Sequence, residues 1–203
     1  MATYTFVECN AVRDGKVLPK RGDIFVNYGV KKGRIIYLDF VIDKLTNSIE
    51  NVKSGDSFKT DVSLVTRDEI RKVTKKNGWA FDWNSELKAP EKEIYKLTIF
   101  GSTNIQGLIS ITFRDEHVYM HLIESAPFNK GRNKTYLGIP GNLVAFACRV
   151  SFQRGGGGYL SFNSKTRLID HYVKSLGAVH FGGTLMVITP ETALKLTDKY
   201  FND

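Results

Sequence analysis

A chain of 203 residues with 42% hydrophobic side chains can bury a sizeable core, as one generous domain or a core with an N-terminal elaboration. Twenty-nine Lys and Arg against 21 Asp and Glu leave a net charge of +8, which suits nucleic acid, an acidic partner or an anionic ligand, although no nucleic-acid-binding module accompanies it. The opening "MATYTFVECN" lacks the apolar stretch of a signal peptide and no apolar run approaches about 18 residues, so a cytoplasmic, soluble protein without membrane association is expected.

Residues 1–90 carry the weaker signals. "GRIIYLDFVID" (33–43) is rich in β-branched and aromatic residues and predicts a strand. In "LVTRDEIRKVTKKNGW", Thr66 and Glu69 stand at capping-box spacing, and Asn77-Gly78 supplies a stop, which predicts one helix between them. "GWAFDWNSELKAPEKE" reads as a loop whose Trp79, Phe81 and Trp83 alternate, either covering a core edge or binding a ligand.

Three strands follow: "EIYKLTIF" (93–100), "IQGLISITF" (105–113) and "HVYMHLIESAP" (117–127). Short polar turns join them into an antiparallel meander. After a basic loop, "LVAFACRVSFQR" is apolar on nearly every side, as a buried helix is. Its Cys148 reads as a buried free thiol of a reducing compartment, and neither it nor Cys9 has metal-ligand spacing. The conspicuous "QRGGGGYLSF" comes at the C-terminal end of that helix, where the dipole repels anions, so Gly155–Gly158 should end the helix and turn the chain. A strand "GYLSFN" (158–163), an amphipathic helix "SKTRLIDHYVKSLGA" (164–178), a hairpin through Gly182-Gly183 and a last helix from Pro190 to about Tyr200 complete an α+β order.

This order resembles the GNAT superfamily of acyl-CoA-dependent N-acyltransferases over about Glu93 to Ile188. The third strand runs through a basic, glycine-containing loop into a helix, with Gly138-Ile139-Pro140-Gly141-Asn142-Leu143 at the junction; "GYLSF" supplies the next strand; and "LIDHYVKSLGA" is similar to the family's helix ending, through Tyr172, Lys174, Gly177 and Ala178. The resemblance implies a GNAT-like mixed, mostly antiparallel twisted sheet with helices on both faces. It implies acetyl-CoA or another acyl-CoA as co-substrate, no metal, and transfer of the acyl group, most simply acetyl, to a primary amine by direct attack. The acceptor would be a small molecule or an acidic macromolecule such as a protein or tRNA, and the enzyme a monomer or homodimer. Residues 1–90 would lie on the acceptor side and 91–203 would bind acyl-CoA. The alternative is a non-catalytic GNAT-like module for nucleic acid or a partner protein.

The same resemblance suggests roles residue by residue. A pyrophosphate needs converging N–H donors at a helix N-terminus. Thr135, Tyr136, Leu137, Gly138, Ile139, Gly141 and Asn142 would line it, with Arg132 and Lys134 adding charge, although Pro140 has no N–H to give. Ile123 on the third strand, and Asn163 or Lys165 after the next, would hold the rest of the cofactor. Tyr172 would protonate the departing thiolate, or else bury its ring on the inner helix face. Glu124 would be the general base, or else a strand-end carboxylate that points into solvent or pairs with Lys130 or Arg132. His121, three residues before it, should by pleat parity face the other way.

Overall fold

The computed structural model describes Leu38, residues 40–44 and 48–201, together with the backbone of Val12–Arg13 and Lys16–Val17. Residues 1–34 form a unit of their own, in which strands β1 (Val12–Arg13) and β2 (Lys16–Val17) pair as an antiparallel hairpin. Cys9 and most of the expected strand over 33–43 lie outside the described residues.

The second unit, 35–203, begins with three strands that the sequence did not announce: β3 (Ile49–Asn51), β4 (Ser57–Phe58) and β5 (Thr60–Leu64). The predicted helix from Thr66 to Asn77 is two pieces. Thr66 and Glu69 do form the capping box, but α1 spans only Arg67–Ile70. Thr74 is extended (φ −130°) and its hydroxyl caps a separate 3-10 turn, Lys75–Asn77, which Gly78 ends in the left-handed region (φ 87°). A second threonine cap inside a helical pattern wins over continuation because it satisfies the amides locally. The aromatic stretch is irregular as far as Asp82, which caps α2 (Trp83–Leu87).

The alternating segments build the strands they predict: β6 (Glu93–Ile99), β7 (Ile105–Arg114) and β8 (His117–Ser125). In the basic loop, Tyr136–Leu137 form β9, which pairs with β3. Then come α3 (Ile139–Gln153), β10 (Leu160–Asn163), a 3-10 turn running into α4 (Ile169–Leu176), β11 (Val179–Gly182), β12 (Leu185–Ile188) and α5 (Pro190–Phe201).

The main sheet has seven strands in the order β11-β12-β10-β8-β7-β6-β5, and β3, β4 and β9 make a separate three-stranded sheet. Every neighbour in the main sheet is antiparallel except β8 with β10. This is an α+β, mostly antiparallel sheet with helices on both faces. On one face Gly107 lets α3 approach so closely that a Cβ there would sit 2.6 Å from Ile139 and 3.2 Å from Leu143. On the other, α2 reaches the sheet through Ser110 and Glu86 (2.8 Å). Because β5 pairs with β6 along its whole length, a boundary near residue 90 falls between two neighbours of one sheet.

The glycine run closes α3 as expected. Gly155 and Gly158 are left-handed (φ 83° and 87°), Gly156 N–H returns to the Ser151 carbonyl (2.7 Å), and the chain turns into β10. Among the described residues no helix is long and apolar enough to cross a membrane.

Candidate active site

The site lies where β8 and β10 part. Their parallel pairing comprises only Leu160 with Val118 and Ser161 with Tyr119. Beyond it β8 carries a bulge: Ser110 faces Leu122 while Ile111 faces Met120, which makes His121 the extra residue. A bulge bends its strand and deepens the local twist, and this one follows directly after the last pair that β8 makes with β10.

The bulge also overturns the parity expected for His121. Its ring nitrogen meets Thr112 Oγ1 at 2.8 Å, and Thr112 shares a face of β7 with Ser110 and Leu108. Leu108 pairs with Glu124, so His121 and Glu124 both serve the α2 side. Burial first, and the Lys92 and Arg114 charges second, push the His121 imidazole down to about 3.

Glu124 is 4% exposed and saturated. Its oxygens accept from the Ala80 amide (2.6 Å), the Phe81 amide (3.4 Å), the Trp83 indole (2.7 Å) and the Lys130 ammonium. A carboxylate has about four lone-pair sites, and four donors fill them. In this arrangement Glu124 does not meet the requirement for a general base; it fastens the 80–83 segment to β8, and the pairing with Lys130 is the alternative its position offered. Trp83 is wholly buried, so the aromatic run covers the core there, while Trp79 borders an open cleft of 440 Å³ beside Glu69, Asn77, Asn104 and Phe128.

Tyr172 is also wholly buried, on the inner face of α4. Its hydroxyl donates to the Phe40 carbonyl (2.8 Å) and accepts from the Phe40 amide (3.1 Å), and its ring lies 4.8 Å from that of Phe40. Asn163, expected along the cofactor, bonds Tyr119 and Thr184 through its side chain. Lys165 is exposed, and its backbone N–H donates to the Leu38 carbonyl (3.0 Å).

At the other end of the gap, Gly138 is the left-handed N-cap of α3 (φ 89°). Its N–H donates to Asp43 Oδ1 at 3.0 Å, and Lys134 Nζ meets Asp43 Oδ2 at 2.7 Å. A carboxylate therefore sits where the helix dipole and a lysine converge. Asn142 turns back, its amide donating to the Gly138 carbonyl (2.9 Å) and its oxygen accepting from Thr60 (3.2 Å), which makes it a structural member of the turn. Thr135, Tyr136 and Leu137 give backbone groups to residues 50–52 instead of to an open loop. Ile123, Ile139 and Gly141 are buried, and Arg132 is exposed.

The segment that links these points was read from sequence only as a strand. Leu38, Phe40 and Ile42 are buried while Val41 is exposed, an extended chain with one face inward. Leu38 bridges in parallel to Ser164, the Phe40 peptide grips Tyr172, and the Ile42 amide donates to His171 (2.8 Å). No local motif signals that 38–44 reaches residues more than ninety positions away.

No family model matches the chain, and no curated protein does either. Solved structures do resemble it. Mutant forms of the spermidine/spermine N-acetyltransferase from Vibrio cholerae align with 14% identity and a TM-score of 0.48, covering 67% of this chain and 96% of that one. The spermidine N-acetyltransferase of the same organism, in complex with CoA and spermine, aligns with 14% identity and a TM-score of 0.47 over 66% of this chain and 98% of the other. The ribosomal-protein-S18-alanine N-acetyltransferase from Escherichia coli aligns with 14% identity and a TM-score of 0.43, over 63% and 90% of the two chains.

Proposed function

We propose that the chain is a GNAT-type, acyl-CoA-dependent N-acyltransferase that moves an acyl group, most simply acetyl, to a primary amine. One observation carries this reading. The single parallel pair of the seven-stranded sheet, β8 with β10, parts after two residues, and the resulting gap leads to a helix N-terminus already loaded with an anion. Such an opening takes an extended molecule along the strand edges and a phosphate at its end.

The first turn of α3 suits an anion on chemical grounds. Gly138 adopts φ 89°, which leaves its N–H exposed to an acceptor without a Cβ in the way, and Lys134 supplies charge beside it. These two residues would hold the diphosphate of CoA. A bound acyl-CoA supplies the thioester that the amine attacks. Tyr172 would hold the proton given to the sulfur, provided its hydroxyl is released from Phe40. The acceptor amine would enter from the Trp79 side, which borders the open cleft. An acidic macromolecular acceptor fits the +8 charge.

Thiol release from acetyl-CoA with a panel of small amines, amino-terminal peptides and aminoacyl-tRNA tests this. Turnover with at least one primary amine, lowered in Tyr172→Phe, is the expected result. Absence of thiol release across the panel, together with no CoA binding, rejects it. The second reading, a non-catalytic module, draws on the saturated Glu124 and the engaged Tyr172 hydroxyl. Stabilisation by tRNA or another polyanion but by no CoA species favours it.

A further inference from the structure

We infer that Leu38 and residues 40–43 form an intramolecular strap that occupies the acyl-CoA site and competes with the co-substrate for it, so that CoA binds only when the strap is displaced. The inference rests on the acyl-CoA reading above and asks what stands in that site.

The placement follows from backbone parity. Along β10 the peptide groups of alternate residues point to one edge. The Tyr159 carbonyl accepts from Val118 of β8 (3.1 Å), and two pairs later β8 has gone. On that same edge the Asn163 carbonyl accepts from Leu38 N–H (2.7 Å) and Lys165 N–H donates to the Leu38 carbonyl (3.0 Å). Ser164 N–H, of opposite parity, goes to Thr184 beside β12. Leu38 therefore takes up the hydrogen-bonding edge that β8 vacates.

From there the strap runs the length of the gap. Phe40 puts both its peptide groups on the Tyr172 hydroxyl and its ring against Tyr172 and Phe162 (centroids 4.8 and 6.2 Å). Asp43 ends it, on Gly138 N–H and Lys134. The arm of CoA is likewise an extended chain with amide groups that ends in a phosphate anion. The strap offers the same succession: amides at a strand edge, an apolar stretch over an aromatic floor, and an anion at the start of α3. Five of the residues expected to touch the co-substrate, Asn163, Lys165, Tyr172, Gly138 and Lys134, are met by it.

The hold is of a kind that opens. Leu38 makes one isolated bridge and residues 40–44 belong to no strand, so the strap lacks the continuous ladder of its neighbours. A ligand whose competent state is a minor fraction binds more weakly in proportion to that fraction. Removing the anion that competes at α3 should therefore tighten CoA.

Two measurements on the full chain test this together. Calorimetry with CoA compares the wild type with Asp43→Asn, which keeps the acceptor for Gly138 but loses the charge, and with Val41→Ala at the exposed face as a control. Hydrogen exchange follows the 38–44 peptide with and without acetyl-CoA. The expected result is about tenfold tighter CoA in Asp43→Asn, no change in Val41→Ala, and faster exchange of the strap on adding acetyl-CoA. CoA binding equally to wild type and Asp43→Asn, with exchange of 38–44 unchanged or slowed, overturns the strap and leaves the acyl-CoA reading standing. No CoA binding to any of the three proteins overturns the reading itself, and the strap proposal with it.

Discussion

The two ends of α3 are sealed in opposite ways. At its C-terminus the chain closes on itself within eight residues: Gly156 N–H returns to Ser151, Ser151 Oγ lies between the Gly156 and Tyr159 carbonyls (3.0 and 2.8 Å) with its one O–H to share, and Gly158 clears the Phe152 ring. At its N-terminus the cap comes from Asp43, ninety-five positions earlier in the chain. A local seal is made by backbone conformation and tolerates no side chain. A distant one is made by charge and hydrogen bonds, and under the strap proposal it is exchanged for another anion. Structure sits at one end of the helix and a replaceable contact at the other.

The sharpest way to break the local end is Gly158→Ala. Its Cβ would lie 2.4 Å from the tip of the Phe152 ring, which is exposed enough to swing aside, so the cost is mainly that of a side chain in a left-handed backbone of φ 87°. The loss should be about 2 kcal/mol, read as a lower urea midpoint with unchanged slope. A loss below about 0.5 kcal/mol would mean that the turn adapts freely and the contrast between the ends is overstated.

Glu124 belongs with the structural kind although three of its partners are forty-odd positions away, because those donors are two backbone amides and a buried indole, with the Lys130 ammonium beside them. Trp83→Phe leaves one carboxylate oxygen short of its strongest neutral donor and should cost about 2 kcal/mol. The same variant separates structure from catalysis. A stability loss with an undiminished rate of acyl transfer per folded molecule agrees with an anchoring role, whereas a rate loss without a stability loss would return Glu124 to the chemistry.

Tyr172→Phe probes the exchangeable end. It orphans both peptide groups of Phe40, which are buried beside it, and should cost about 1.5 kcal/mol. Hydrogen exchange should rise across residues 38–44 more than anywhere in β6 or β7. Uniform loosening of the whole sheet would instead make the tyrosine an ordinary core member.

What the sequence disclosed divides along the same line. The strands of the meander, the buried helix, the glycine C-cap, the amphipathic α4 and the capping box at Thr66 are each written in periodicity or in turn residues close together, and each appears within a few residues of its expected place. The strap, β5 at the sheet edge and the pairing of β9 with β3 depend on partners far along the chain, and "TDVSL" or "YL" has no pattern that names them. The candidate site was legible only as a neighbourhood: Tyr172, Gly138, Lys134 and Asn163 each meet Leu38 or residues 40–43. Asp43 as the partner of Gly138 and Lys134 was not, because a half-buried carboxylate at a helix N-terminus looks in sequence like any surface aspartate. The bulge at His121 was equally silent, and it alone reversed the expected facing of that residue.

That bulge gives the smallest and most specific prediction. In the folded chain burial, with Lys92 and Arg114 nearby, holds His121 down at about 3, against an ordinary 6.5. His117 is shifted in the same direction, by burial and then by Arg114. The unfolded chain therefore binds protons below pH 6.5 that the folded chain refuses, and stability must fall as pH drops from 6.5 towards 3. Each such histidine contributes at most about 1.4 kcal/mol per pH unit. Carboxylates titrate in the unfolded chain near pH 4, so the window between about pH 5 and 6.5 isolates the histidines. His121→Gln keeps a partner for Thr112 and removes the titration; it should flatten the slope of unfolding free energy across that window while leaving stability at pH 7.5 within about 1 kcal/mol. Urea titrations at four pH values measure it. Parallel slopes in variant and wild type would place His121 in water, against its burial at the bulge of β8 beside Thr112.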